Sequence, residues 1–140
     1  MIYIFYCASR YQLDEESFNF FLKRLPGNFQ SGILRFKKWE DRQRSLFSKL
    51  LLIEGLNLMN LNSYSLDQIK LTEYKRPYFN DQIDFNISHS GEYIICGIST
   101  NHKIGIDIEE IKEIPLGDFQ NEFSTNELRA ILKSENNMNA

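Results

Sequence analysis

Three consecutive segments between residues 84 and 111 have strand-like patterns, separated only by short turns. Residues 93–99 are almost continuously apolar, which is typical of a strand buried on both faces. Residues 85–91 and 103–111 alternate between apolar and polar side chains, the two-residue period of a strand with one buried face. The sequence therefore predicts a three-stranded meander from Asp84 to Glu109, which requires a fold built on a small antiparallel sheet.

Helical patterns dominate the chain before this meander. Residues 2–8 combine β-branched and aromatic types and predict a first strand. Residues 14–25 have apolar positions at helical spacing, and Pro-Gly-Asn at 26–28 is expected to end that helix. The longest helical pattern covers residues 39–60. A chain of 140 residues fits one domain, so we predict an α+β fold in which the sheet packs against a long helix.

Charge and cysteine usage narrow the class of protein. The formal net charge of −3 argues against a general nucleic-acid binder. Cys7 and Cys96 lie in apolar runs without the spacing of a zinc or redox site, which indicates reduced, buried thiols. The apolar start of the chain is too short to span a membrane and has no basic leader. We therefore expect a cytoplasmic protein that does not associate with membranes.

The last segment of the predicted meander contains a candidate metal site. Ile104, Ile106 and Ile108 are expected to point inward, which leaves Asp107 and Glu109 on the opposite face. Side chains two residues apart on a strand lie about 6.6 Å from each other, so one hard cation fits between the two carboxylates. The alternative is that these acids form only the solvated face of a half-buried strand.

Two basic clusters are candidate anion sites. Arg44 belongs to a group around the start of the long helix, where backbone amides and guanidinium groups both suit phosphate oxygens. A solvated helix face with pairs such as Glu40 and Arg44 is the alternative. The second cluster is Lys75 and Arg76, where Pro77 favours an extended backbone at Arg76. We expect this cluster on an exposed loop or strand edge.

Ser88 and His89 lie at the predicted end of the first meander strand, where a neighbouring strand end can bring Asp107 close. Adjacent residues of one strand point to opposite faces, so Ser88 and His89 do not form the nucleophile and base of a serine hydrolase. A hydroxyl and an imidazole that face a phosphate are the chemically more natural hypothesis.

Five motifs, taken in order and spacing, resemble the 4′-phosphopantetheinyl transferases of the surfactin-synthetase-activating type. They are Arg35-Phe36 with Glu40-Asp41 and Arg44; Lys75-Arg76-Pro77-Tyr78; Phe85-Asn86-Ile87-Ser88-His89-Ser90-Gly91; Gly105-Ile106-Asp107-Ile108-Glu109; and Phe123-Ser124 with Glu127. The resemblance spans nearly all of the chain. It implies that residues 1–112 form the N-terminal half of a pseudo-twofold enzyme, and that residues 113–140 are a connector and the start of a truncated second half.

The resemblance also implies an activity. These enzymes transfer the 4′-phosphopantetheine arm of coenzyme A to a serine of an acyl or peptidyl carrier protein and release adenosine 3′,5′-bisphosphate. By resemblance, Asp107 and Glu109 hold Mg²⁺ against the pyrophosphate, and Glu127 is a further carboxylate near the metal or the incoming serine.

Residues that bind coenzyme A are implied in the same way. Arg44, Ser88 and His89 are expected at the 3′-phosphate region. Arg76 and Pro77, with Lys75 beside them, are expected at the adenine nucleotide.

The sequence departs from the family at one motif. Members of the long class have Trp-x-x-Lys-Glu after the Phe-Ser element, and residues 1–140 do not contain it. Three hypotheses follow: a transferase that is truncated or is completed by another polypeptide, an inactive module that binds coenzyme A or a nucleotide, and a remnant that self-associates through an exposed surface between the two halves.

Overall fold

A computed structural model describes residues 1–111. The elements in chain order are β1 (Ile2–Ala8), α1 (Glu15–Leu22), α2 (Gly27–Leu34), α3 (Trp39–Leu58), a 3₁₀ turn (Leu66–Gln68), β2 (Lys70–Leu71), β3 (Pro77–Tyr78), β4 (Ile83–Ser90) and β5 (Tyr93–Thr100). Within these residues no helix is both long enough and apolar enough to cross a membrane.

The main sheet has three antiparallel strands in the order β1-β5-β4. The register pairs Ala8 with Tyr93 and Tyr93 with Ser90, so both outer strands reach the same end of β5. Because β5 is central, most of its side chains are buried, which explains its continuous apolar run. Strands β2 and β3 form a separate two-stranded antiparallel ribbon.

Helix α3 packs against one face of this sheet. Its buried residues include Leu46, Leu52 and Leu56, which share a core cluster with Phe85 and Ile98 of the sheet. Burying side chains of this size contributes about 1.5–3 kcal/mol each. The structure confirms the predicted α+β fold, with a small antiparallel sheet packed against a long helix.

Helix α2 was not predicted, because Pro26 and Gly27 indicated only the end of the preceding helix. Pro26 has an extended backbone, and its carbonyl accepts hydrogen bonds from the N–H groups of Phe29 and Gln30 at 3.0 and 3.1 Å. Proline is well suited to a helix start, where an N–H has no helical partner. The same Pro-Gly pair therefore separates α1 from α2.

The predicted third strand of the meander was wrong, because residues 101–111 form no strand of the sheet. The segment lies on the face of the sheet that α3 does not cover, where hydrogen bonds from its backbone reach side chains of β4. Its predicted alternation is confirmed: Ile104 is buried and Ile106 is half-buried, while Asp107 and Glu109 are exposed.

Helix α3 and the sheet come close together at Gly55. A Cβ atom there would lie 2.8 Å from Cδ2 of Phe5 and 2.9 Å from Cδ1 of Ile98. We expect Gly55→Ala to lower the free energy of unfolding by about 1–3 kcal/mol, because added volume forces packed side chains out of their rotamers. Urea denaturation measures this change.

Gly32 on α2 provides the matched control, because a Cβ atom there meets nothing within 4 Å. Gly32→Ala is expected to raise the free energy of unfolding by up to about 1 kcal/mol, since alanine is the better helix former. An equal gain in both variants would contradict close packing at Gly55.

Candidate functional site

Four side chains of β4 hold the segment that contains Asp107 and Glu109. Alternate residues of β4 accept hydrogen bonds from alternate backbone N–H groups of the segment, and each pair is separated by 20 residues. The bonds are Ile104 N to Asp84 Oδ2 (2.8 Å), Ile106 N to Asn86 Oδ1 (3.0 Å), Ile108 N to Ser88 Oγ (3.3 Å) and Glu110 N to Ser90 Oγ (2.9 Å). Residue numbers increase in the same direction along both partners of these bonds, so the segment runs parallel to β4. We call this set of four bonds the side-chain ladder.

Ser88 links the ladder directly to a predicted metal ligand. Its hydroxyl donates to Oδ1 of Asp107 at 3.0 Å while its oxygen accepts from the N–H of Ile108. A hydroxyl can donate one bond and accept two, so both contacts are possible at once. The structure therefore brings Ser88 and Asp107 together.

Arg76 is half-buried and ion-paired, in contrast to the exposed position that we predicted. Its Nη1 and Nη2 atoms lie 2.9 and 2.8 Å from the two carboxylate oxygens of Asp84, and Nη2 also donates to the carbonyl of Ile104 at 2.7 Å. These contacts use three of its five N–H donors. Arg76 thus connects the start of β4 to Ile104, the first residue that the side-chain ladder holds.

Burial alone would raise the pKa of Asp84. The hydrogen bonds from Arg76 and from the N–H of Ile104 outweigh this effect, so the pKa of Asp84 lies below its ordinary value of 3.8. The same bond to Asp84 raises the pKa of Arg76. Asp84 is therefore a carboxylate at neutral pH, even though its side chain is only 8% exposed.

A cavity of about 650 Å³ opens beside this ion pair. Its lining combines the basic side chains of Arg76, His102 and Lys103 with the carboxylates of Asp81 and Asp84. The volume is within the range of pockets that hold small molecules. The structure thus provides a concave surface with basic groups next to Arg76, one of the predicted coenzyme A residues.

Lys75 and Pro77, the two neighbours of Arg76 in the sequence, lie on the β2–β3 hairpin. Lys75 is exposed and has a positive φ of 63°, and its N–H donates to the carbonyl of Thr72 at 2.8 Å. Pro77 begins β3 and is exposed. The predicted Lys75-Arg76-Pro77 unit is therefore a hairpin turn, and Arg76 is its only member in an ion pair among residues 1–111.

His89 and Ser88 point to opposite faces of β4, as strand alternation requires. Ser88 faces the ladder, whereas exposed His89 lies on the face of β4 that α3 packs against. The structure therefore separates two side chains that we assigned to the same phosphate region. His89 pairs in register with Ile94, close to the end of the sheet.

Arg44 lies in the first half of α3, which reaches this same end of the sheet. The neighbouring Gln43 donates from Nε2 to Ser9 Oγ at 2.9 Å, just after β1. Arg44 itself contacts Asp41 one turn earlier, with 3.0 Å between Nη1 and Oδ1. A partly exposed pair of this kind contributes little to stability, so Arg44 can exchange this partner for a ligand at low cost.

Glu127 lies outside the described residues, as do Phe123 and Ser124. Among residues 1–111, no group of three or more histidine, cysteine, aspartate or glutamate side chains is arranged to bind a metal ion. Asp107 and Glu109 are both exposed, and their role as metal ligands stays a prediction.

Sequence reasoning missed the residues that hold the site together. Asp84 was not singled out, and Asn86 and Ser90 were named in the Phe85–Gly91 motif without a role. With Ser88 they form a run of short hydrogen-bonding side chains at every second position of β4. That period matches the period of the Ile104–Glu110 N–H groups and was the available signal. Gln43 gave no such signal; it is buried and makes three hydrogen bonds, to Ser9, Tyr11 and Leu13.

Comparison with known proteins identifies the family. A family model described as 4′-phosphopantetheinyl transferase, N-terminal, matches residues 9–101. The chain belongs to the 4′-phosphopantetheinyl transferase family. The match covers the β4 motif and ends before the segment that contains Asp107 and Glu109.

Individual 4′-phosphopantetheinyl transferases agree with this result. The transferase gsp of Aneurinibacillus migulanus is 38% identical over 120 residues, which is 83% of this chain and 48% of the relative. The transferase Sfp of Bacillus subtilis (strain 168) is 31% identical over 129 residues, 88% of this chain and 55% of the relative. The chain therefore spans about half the length of these curated relatives.

Proposed function

We propose that this chain takes part in the transfer of 4′-phosphopantetheine from coenzyme A to a serine of an acyl or peptidyl carrier protein. Family membership supports the class of reaction. The observation that carries the proposal to named residues is the hydrogen bond from Ser88 to Asp107, in a segment that exposes Asp107 and Glu109 on one side.

Asp107 and Glu109 fit Mg²⁺ by their chemistry. Both side chains are exposed carboxylates, whose oxygen atoms are hard metal ligands. Ser88 orients the carboxylate of Asp107. Mg²⁺ in phosphate-handling sites commonly has one or two carboxylate ligands and completes its coordination with water and substrate phosphates. When bound, the ion would neutralise charge on the pyrophosphate.

The basic residues support a phosphate-bearing substrate. Arg44 and His89 lie at one end of the sheet, and the cavity beside Arg76 lies at the opposite end of β4. Coenzyme A carries its 3′-phosphate and its pyrophosphate on the ribose of one adenine nucleotide, so basic side chains suit its anionic groups. Arg44 and His89 are our candidates for the 3′-phosphate region, and Arg76 with Lys75 and Pro77 are our candidates for the adenine nucleotide. Ser88 lies on the other face of β4 from His89 and is assigned to Asp107 instead.

In this proposal the protein supplies no covalent nucleophile. The carrier-protein serine hydroxyl attacks the phosphorus that bears the pantetheine arm and forms a phosphodiester. The bond to the bridging pyrophosphate oxygen breaks, and adenosine 3′,5′-bisphosphate leaves with the negative charge. The serine proton passes to a carboxylate or to water, and Glu127 is our candidate for the carboxylate. The described residues bind and orient the two substrates.

Intact-mass spectrometry of an apo carrier protein tests this proposal. After incubation with the chain, coenzyme A and Mg²⁺, we expect a mass gain of one phosphopantetheine group. The gain should disappear when EDTA replaces Mg²⁺ and when the acceptor serine is alanine. An unchanged mass with retained coenzyme A binding would contradict transfer and indicate a binding module.

A further inference from the structure

Residues 104–110 are positioned by side chains of β4. Residues 101–111 are not assigned to a strand, and four of their N–H groups donate to Asp84, Asn86, Ser88 and Ser90 of β4. Strand backbones normally fix each other's position through a ladder of backbone hydrogen bonds. Here the direction of the Asp107 and Glu109 side chains depends instead on which side chains β4 presents.

The centre of the sheet is shaped to receive the segment. Gly97 of β5 pairs in register with Asn86. A Cβ atom at Gly97 would lie 2.8 Å from Cδ1 of Ile104 and 3.0 Å from Cγ2 of Ile106. These two isoleucines therefore rest on the bare backbone of Gly97, and any side chain there would lift them away from β4.

Asn86 differs from Asp84 and Ser88, each of which has a second side-chain partner besides its ladder bond. Asp84 is also bound to Arg76, and Ser88 also contacts Asp107. Half-buried Asn86 accepts a 3.0 Å bond from the N–H of Ile106, the residue directly before Asp107. Loss of this acceptor would leave the Ile106 N–H without its partner at a partly buried position, which is unfavourable.

We propose that Asn86 is a positioning residue that orients the Asp107 and Glu109 carboxylates for a divalent cation. This assignment rests on the proposed function only for which cation binds and for the use of that cation in the transfer reaction. Outer-shell partners of metal ligands typically change metal affinity by about 10–100-fold when they are mutated. Asn86 acts one step farther away, through the backbone that leads into Asp107.

The test compares Asn86→Leu, which removes the acceptor at similar volume, with Asn86→Asp, which keeps an acceptor of the same shape. Mn²⁺ is titrated into the ¹⁵N-labelled chain, and paramagnetic broadening of the amide signals of residues 107–109 measures its affinity. We expect Asn86→Leu to weaken Mn²⁺ binding by about 10-fold or more, and Asn86→Asp to remain within about threefold of the wild type.

Gly55→Ala, on the face of the sheet covered by α3, is the control for lost stability and should keep the wild-type Mn²⁺ affinity. If leucine prevents folding, Asn86→Ala removes the same acceptor with less bulk. Unchanged affinity in the acceptor-less variant, an equal loss in Asn86→Asp, or an absence of broadening in the wild type would each overturn the proposal.

Coenzyme A binding, measured with and without Mg²⁺, tests the proposed function separately. Selective broadening at residues 107–109 without any coenzyme A binding would refute the transferase proposal and leave the positioning role of Asn86 in place.

Discussion

Replacing Asp107 with alanine is expected to weaken Mg²⁺-dependent coenzyme A binding by about 100-fold or more and to abolish transfer. The change removes one of two candidate metal carboxylates and the acceptor of the 3.0 Å bond from Ser88. A bound cation contributes several kcal/mol of charge stabilisation, and each 1.4 kcal/mol is a tenfold change. Calorimetric titration of coenzyme A with and without Mg²⁺ measures the loss.

Three variants control for this result. Asp67→Ala makes the same change of charge at an exposed residue of the 3₁₀ turn and should leave binding unchanged. Arg44→Ala and His89→Ala should weaken binding whether or not Mg²⁺ is present, because they remove groups assigned to phosphate. If Asp107→Ala kept full Mg²⁺-dependent affinity, the metal assignment would be wrong.

Replacing Asp84 with alanine is expected to lower the free energy of unfolding by about 3 kcal/mol. The change leaves the half-buried guanidinium of Arg76 without its two-oxygen partner and removes the acceptor of the Ile104 N–H. Losing one partner of a buried ion pair typically costs about 3–5 kcal/mol, and Arg76 is 34% exposed, which favours the lower end. Chemical denaturation provides the measurement.

Glu92→Ala is the matched control, because it breaks an exposed ion pair with Arg10 and should cost less than about 1 kcal/mol.

The loss of stability in Asp84→Ala should also depend on pH. Its folded pKa lies below the unfolded value near 3.8, so its contribution is complete above that value and is lost as pH falls through the folded pKa. A cost that stayed constant into strong acid would exclude the charged pair as its cause.

Much of the fold follows from periodicity, because each main element places its apolar residues at the spacing of one structure. The alternation or continuous burial of β1, β4 and β5 and the long stripe of α3 are local properties, and all four were predicted close to their observed bounds. Helix α2 was missed because Pro26 and Gly27 can end one helix or begin another. Only the tertiary path of the chain decides between these outcomes.

The candidate site was predictable in part, for a related reason. Alternation placed Asp107 and Glu109 on the exposed side of their segment, and the structure agrees. Alternation could not show whether that segment pairs at the edge of the sheet or lies along β4 on the face of the sheet. The position of the segment is decided by Gly97 and by the short polar side chains at every second position of β4. Their effect depends on packing between residues far apart in sequence.

The prediction that Arg76 is exposed was wrong, because the hairpin motif alone suggested a cation without a partner in the protein. Its partner Asp84 is eight residues away on another strand, and its third contact is the carbonyl of Ile104. The ion pair therefore required knowledge of how the β2–β3 ribbon lies against β4.

The side-chain ladder has a consequence for protein engineering. A loop grafted for its two carboxylates would lose their arrangement in a new host, since its own backbone does not specify it. The transferable module is residues 84–110 as a whole, in which β4 supplies the acceptors, Gly97 the clearance and residues 104–110 the donors. Insertions within that module would have to preserve the constant 20-residue offset or be absorbed in its turns.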